Sequence, residues 1–114
     1  MATQPRQKKS AMAQTAEVAF RVERDLDALH SFTADLAGLV EEWESLSENA
    51  KEVESLDWDH LVGSYLTELA EYYLAGQMTP KQQARYRELL KKLKESMPAI
   101  RKLNLRLPPI SVGV

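Results

Sequence analysis

The sequence contains no cysteine, and this absence excludes several kinds of site. Disulfides, thiolate zinc sites and cysteine nucleophiles all require that residue. Only two histidines are present, which is too few for a histidine-rich metal site. We therefore expect no metal, no cofactor and no catalytic residue, and a cytoplasmic location meets no objection.

Glycine and proline are scarce, and long apolar runs are missing. Four glycines and five prolines in 114 residues leave few breaks in regular structure, while 44% of the residues are apolar. This composition is typical of a folded helical protein. No stretch approaches the roughly 18 consecutive apolar residues of a membrane-spanning helix, and no secretory signal follows the basic start.

The longest regular pattern is the apolar repeat from Thr15 to Leu46, with steps of three and four residues. It predicts one amphipathic helix of roughly 48 Å. The apolar stripe is narrow in the N-terminal half, as in a coiled coil, and wide enough for two neighbours in the C-terminal half. We expect the N-terminal half to project with its seam uncovered, which predicts a symmetric homodimer. The candidate self-association residues are Val22, Leu26, Leu29 and Leu36.

A second helix is predicted from Trp58 to Ala75, after a break placed between Ser47 and Asp57. Gly76 follows this helix at the position where a left-handed residue commonly ends one. The connection to the next helix is short, which favours an antiparallel hairpin.

The third helix has the clearest start signal in the chain. Thr79 and Gln82 match a capping box, and Pro80 suits the first helical position. Pro98 predicts a kink or a restart, because an internal proline removes a backbone hydrogen bond. Beyond it, Pro108 and Pro109 impose an extended backbone.

These elements predict an all-α three-helix bundle. The long N-terminal helix carries the hairpin of helices 2 and 3 on its C-terminal half. Residues 1–10 are expected to form a disordered basic tail, 11–104 a single helical domain and 105–114 an extended apolar tail. That last tail could lie over its own core, pair with a second copy or bind a second protein.

Charge is sorted along the chain although the net charge is only −2. Residues 41–60, here called the acidic block, carry eight carboxylates against one lysine; residues 79–106, the basic block, carry nine cations against two glutamates. Blocks of opposite sign can pair within one chain or between two copies.

Two patterns resemble the motifs of known enzymes. Arg24 and His30 have the spacing of the arginine and histidine of HEPN-type helical ribonucleases, a pair that could hold a phosphate and move a proton. We interpret them as a surface arginine and a boundary histidine. A second cluster consists of Glu41, Glu42, Glu44, Glu68 and Glu71. It resembles the magnesium-binding carboxylates of MazG-type nucleotide pyrophosphohydrolases, but we interpret it as solvated helix faces.

Asp57, Asp59 and His60 are three possible metal ligands within four residues. Aspartate is also the expected residue at a helix start, so we interpret them as capping and dipole partners. The favoured function is a non-enzymatic protein-interaction or assembly subunit that self-associates through its first helix. The alternative is a helical subunit that binds nucleic acid through helix 3. Its candidate contacts are Lys81, Arg85, Lys92 and Lys94.

Overall fold

The computed structural model describes residues 14–109, and every regular element among them is helical, which confirms the all-α class. Helix α1 spans Ala16–Glu42 and begins where the Thr15 hydroxyl accepts a hydrogen bond from the Val18 amide. At 27 residues it is about 40 Å long. A short 3₁₀ turn, Trp43–Ser45, ends it.

A second helical rod of similar length returns along α1. It consists of α2 (Glu48–His60), a π-helical segment (Leu61–Leu66) and α3 (Thr67–Leu74), which follow one another without a break. Gly76, with a φ of 71°, ends the rod, and the Gln77 amide then donates to the Tyr72 carbonyl at 2.9 Å.

The third layer is shorter. Helix α4 spans Pro80–Glu95, and Thr79 and Gln82 form the predicted capping box at its start. Helix α5, Met97–Lys102, follows after Ser96 and carries Pro98 in its first turn. The chain therefore restarts a helix at the proline, as the sequence predicts.

Contacts along α1 define the direction of its neighbours. Arg24 contacts Glu68 at 3.1 Å, and the rings of Phe32 and Trp58 are 5.1 Å apart, so later residues of α1 meet earlier residues of the rod. The rod is therefore antiparallel to α1.

Helix α4 runs parallel to α1 on its other side. Glu23 accepts a hydrogen bond from Gln82 at 2.8 Å, and Asp27 pairs with Arg85 at 2.9 Å. Later residues of α1 therefore meet later residues of α4, as expected for parallel helices. Helix α4 packs chiefly on α1 and also brings Tyr86 to Tyr73 of α3.

The predicted exposure of the seam is wrong. Val22, Leu26 and Leu29 are 0% exposed and Leu36 is 2% exposed, because the rod and the third layer cover the N-terminal half of α1 from both sides. These four residues belong to the chain's own core, so the folded protein does not present them to a second copy. The remaining core residues are Trp58, Val62, Leu66, Leu69, Met78, Tyr86, Leu89, Leu93, Ile100, Leu103 and Leu105.

The predicted start of the second helix is also wrong. The rod begins at Glu48, ten residues before Trp58, because the Ser47 hydroxyl accepts a hydrogen bond from the Ala50 amide at 3.0 Å. The break in the chain accordingly lies between Glu42 and Glu48. Residues 48–57 extend the rod instead of forming a loop.

The C-terminal end of α1, and not its N-terminal half, projects beyond the core. No residue from 37 to 57 is buried, whereas buried residues recur along α1 up to Leu36 and along the rod from Trp58 onward. We call residues 37–57 the arm. It contains most of the acidic block.

The chain after α5 lies against the rod. The Trp58 indole donates a hydrogen bond to the Arg106 carbonyl at 2.6 Å, and Leu105 and Pro108 are buried. The apolar residues Ile110, Val112 and Val114, like the basic residues 1–10, lie outside the described residues. Within residues 14–109, every helix is too short or too polar to cross a membrane.

We predict that Gly76→Ala lowers the free energy of unfolding by about 1–2 kcal/mol, because an alanine side chain clashes with its own backbone at positive φ. Urea denaturation followed by circular dichroism measures this change. An unchanged midpoint would contradict the role of Gly76 in ending the rod.

Candidate protein-interaction site

An open groove follows the junction between α1 and the rod. Two adjoining depressions of about 410 and 390 Å³ share Phe32 and Asp35. Together they extend from the arm towards the π-helical segment, and we call them the hairpin groove. Its lining residues are Ala28, Ser31, Phe32, Ala34, Asp35, Gly38, Leu39, Glu42, Glu54, Asp57, His60, Leu61 and Tyr65.

The groove combines apolar side chains with carboxylates. Phe32, Leu39 and Leu61 are half-buried and continue outward from the core. The carboxylates lie beside them, and none of these has an ion-pair partner among residues 14–109. They are Asp35, Glu42, Glu54 and Asp57. The site thus suits a ligand with apolar and cationic groups.

Gly38 contributes to the opening. A Cβ atom built on this residue meets nothing within 4 Å apart from its own helix backbone. The missing side chain leaves space on the outer surface of α1, between Asp35 and Glu42.

An ionic cluster around the buried Asp25 lies between α1 and the rod. Arg24 donates to Asp25 at 3.0 Å and to Glu68 at 3.1 Å, and its guanidinium lies 4.6 Å from the ring centre of Tyr65. Arg21 also contacts Glu68, at 3.3 Å. The cluster joins the two long helices by charged hydrogen bonds and a cation–π contact.

Asp25 is the unusual member of the cluster. It is fully buried, and its Oδ2 atom is the one buried side-chain oxygen or nitrogen in residues 14–109 without a hydrogen-bond partner. Burial, followed by its interaction with the neighbouring Glu68, raises the pKa of Asp25 to about 7. The same interaction lowers the pKa of Glu68. The raised pKa means that Asp25 holds its proton to higher pH than an exposed aspartate does.

The structure does not assemble the two enzyme-like patterns. Arg24 is held by Asp25 and Glu68, and His30 lies six residues further along α1, about 120° around the helix. Glu68 contacts α1 near residue 24, roughly 27 Å along that helix from Glu42. The predicted glutamate cluster is thus divided between the two ends of the hairpin.

The possible metal ligands Asp57, Asp59 and His60 are not brought together at one site either. Asp57 and His60 line the hairpin groove, whereas Asp59 does not. Residues 14–109 contain no group of three or more side chains placed to hold a metal ion.

The predicted nucleic-acid contacts are partly occupied within the chain. Arg85 pairs with Glu23 at 2.6 Å and with Asp27, and Lys92 lies 3.8 Å from Glu88. Lys81 and Lys94 are exposed. Two of the four predicted contacts, Arg85 and Lys92, therefore already lie beside carboxylates of the same chain.

The groove residues were not found from the sequence as a site, although several of their features are visible there. Asp35, Gly38 and Glu42 repeat at steps of three and four within α1. Their partners, Glu54 and Asp57, come from a segment predicted to be a break. Without the register between the two helices, these residues could not be grouped.

Comparison with protein-family models, with curated proteins and with solved structures found no match to this chain.

We predict that Gly38→Ala raises the free energy of unfolding by about 0.5–1 kcal/mol, since alanine has the higher helix propensity and the added methyl meets open space. The opposite sign is expected at Gly76, where alanine is strained. Chemical denaturation of both variants under one set of conditions measures the difference. A destabilised Gly38→Ala would show that this side of α1 is covered.

We predict that Asp25→Asn flattens the pH dependence of stability. The folded chain retains a proton that the unfolded chain loses above about pH 4, so wild-type stability falls as pH rises towards 7, by up to about 1.4 kcal/mol per pH unit. The lowered pKa of Glu68 has the opposite effect on the pH dependence of stability, but only at more acidic pH. Asparagine is neutral throughout and can still donate to Glu68.

The measurement is urea denaturation at intervals between pH 4.5 and 8. Asp25→Asn should gain stability relative to wild type as pH rises, whereas Asp35→Asn, an exposed control on the same helix, should follow the wild-type curve. Parallel curves for wild type and Asp25→Asn would exclude a retained proton on Asp25.

Proposed function

We propose that this chain is a non-enzymatic protein-interaction subunit, and that the hairpin groove binds a basic, amphipathic helical segment. One observation carries the proposal. At the place where the third layer ends, half-buried apolar residues border four carboxylates that have no ion-pair partner among residues 14–109.

The chemistry of the groove supports a helical ligand. An amphipathic helix places anchors at steps of three and four residues, which matches an elongated groove beside α1. Apolar atoms or aliphatic stems would cover Phe32 and Leu39, and lysine or arginine heads would reach the bordering carboxylates. Such charges increase the association rate and select against acidic ligands.

The proposal keeps the first helix as the interacting element but moves the surface along it. The surface predicted from the sequence, Val22 to Leu36, is buried in the core. The new surface starts at Ala28 and reaches Glu42, on the side of α1 that faces the groove. A cytoplasmic location and the lack of enzymatic activity stay predictions.

Nucleic-acid binding is the second candidate, and one observation favours it. Arg87, Lys91, Arg101 and Lys102 are exposed and have no ion-pair partner among residues 14–109. Cations of this kind could neutralise phosphates. Binding of a labelled oligonucleotide that weakens steeply with salt, and is lost on charge reversal at Arg87 and Lys91, would favour this function.

For the groove, we predict binding of a synthetic amphipathic helix of lysine and leucine, and no binding of the matching peptide of glutamate and leucine. Backbone amide shifts in residues 28–42 and 54–65 should change on titration. The double variant Glu42→Lys/Glu54→Lys should lose this binding, because it places two cations beside the ligand's own.

The matched control is Glu44→Lys/Glu52→Lys. It changes the charge of the arm by the same amount, but neither residue lines the groove. This control should retain most of the binding. Equal loss in both variants would mean that the peptide responds only to the net charge of the arm, and equal affinity for both peptides would exclude a cation-selective groove.

A further inference from the structure

We propose that residues 110–114 of this chain lie in an extended conformation across the outer face of α2 and cover its two exposed apolar side chains, Val53 and Leu56. The proposal goes beyond the hairpin groove and does not depend on it, because neither of these residues lines the groove. Of the three possibilities that the sequence left open for the apolar tail, it selects the one in which the tail lies over its own chain.

The outer face of α2 exposes more apolar side-chain area than its surroundings. Among residues 14–109, five large apolar side chains are exposed, and three of them lie on α2 or directly after the contact between Arg106 and the rod. Val53 is 50% exposed, Leu56 is 59% exposed and Leu107 is 48% exposed. Val53 and Leu56 are three residues apart, so they are neighbours on one side of the helix. Together they form an apolar surface that a second segment can cover.

The described part of the chain already reaches this side of the rod. The Arg106 carbonyl accepts the hydrogen bond of the Trp58 indole, and the Arg106 side chain lies over Gly63, with its Nη1 atom 3.1 Å from the position of a Cβ atom built on that glycine. Gly63 and Leu56 are seven residues apart, close to two helical turns, so they lie on nearly the same side of the rod. Arg106 is therefore held on the side of the rod that carries Leu56.

The chain beyond Arg106 is long enough to cover both side chains. Leu56 and Val53 lie roughly 3 and 8 Å along the rod from Trp58. Only three residues separate Arg106 from Ile110, and an extended segment of five residues spans roughly 17 Å. The segment therefore reaches the outer face of α2 without any change in the contacts of Arg106.

The sequence of the segment suits an apolar surface. Apolar residues alternate with small ones in the order Ile110, Ser111, Val112, Gly113 and Val114. In an extended chain the three apolar side chains point to one side, roughly 7 Å apart, which is close to the 5–6 Å between neighbouring side chains on a helix. Residues 107–114 contain no charged side chain. Pro108 and Pro109 restrict the backbone before the segment to extended conformations, which reduces the entropy lost on docking.

A contact within one chain is favoured over the same contact with a second copy. The three-residue link between Arg106 and the segment gives an effective concentration in the millimolar range. A second copy at micromolar concentration is far more dilute than that. The outer face of α2 is therefore covered by its own chain before another chain reaches it.

The test uses the absence of cysteine, because two introduced cysteines are then the only thiols in the chain. Leu56→Cys/Val112→Cys should lose both free thiols on mild oxidation and keep the mass of one chain, since a disulfide requires Cα atoms within about 7 Å of each other. The matched control is Leu74→Cys/Val112→Cys. Leu74 is also an exposed apolar residue of the rod, but it lies roughly 24 Å along it from Trp58. This control should keep its free thiols.

The wild-type chain provides an independent measurement. NMR spectra should show nuclear Overhauser contacts between the methyl groups of Val112 and those of Leu56. A mixture of isotope-labelled and unlabelled chains should show no such contacts between copies. Circular dichroism should show that both cysteine variants are folded.

The possible failures are distinct from one another. A covalent dimer in place of the internal disulfide, or Overhauser contacts between copies, would overturn the inference and assign the outer face of α2 to a second copy. Equal oxidation of the two cysteine pairs, or no Overhauser contact at Leu56, would overturn it as well. None of these results affects the peptide titration of the hairpin groove, so failure here leaves the proposed function to its own test.

Discussion

A difference in length between the helices determines the architecture. Helix α1 and the rod are each about 40 Å long, whereas α4 is about 24 Å and the short α5 only partly extends it. A third layer of that length completes the core around residues 22–36 and 58–69 and leaves the remaining hairpin with two helices instead of three. Two helices alone cannot bury a stripe wide enough for two neighbours. The half-buried Leu39, Val40 and Trp43 of the arm are the result.

The charged residues at the two ends of the hairpin have different environments. At the end of the hairpin away from the arm, here called the base, charged side chains contact one another and are partly removed from water; they are Arg21, Arg24, Asp25 and Glu68. Removing one partner of such a charged pair is costly. In the arm, Glu48 pairs with Lys51 and the other carboxylates have no ion-pair partner among residues 14–109, so their electrostatic energy can change at little cost to the fold. The base therefore defines the register of the two long helices, and the arm has charge available for association.

The sequence was sufficient where structure depends on neighbouring residues. Thr79, Pro80 and Gln82 identified the start of α4, and Pro98 identified the restart at α5, because caps and prolines act within one turn. It was insufficient where partners are remote. The narrow seam of α1 was interpreted as exposed because charged residues border it, yet Glu23 is satisfied by Gln82 and Arg85, and Arg24 by Glu68. The second helix began earlier than expected because Ser47, and not Asp57, is the residue that caps it.

The π-helical segment Leu61–Leu66 links the orientation of the arm to that of the base. Each turn of a π-helix contains more than the 3.6 residues of an α-helix. The segment therefore sets the angle at which the side chains of α2 point around the rod, relative to those of α3. One residue more or less at this point rotates α2 by about 100° relative to α3. Glu54 and Asp57 would then move away from α1 while the cluster around Glu68 stayed intact. A change in chain length of one residue could thus redirect the acidic surface of the arm without altering the core.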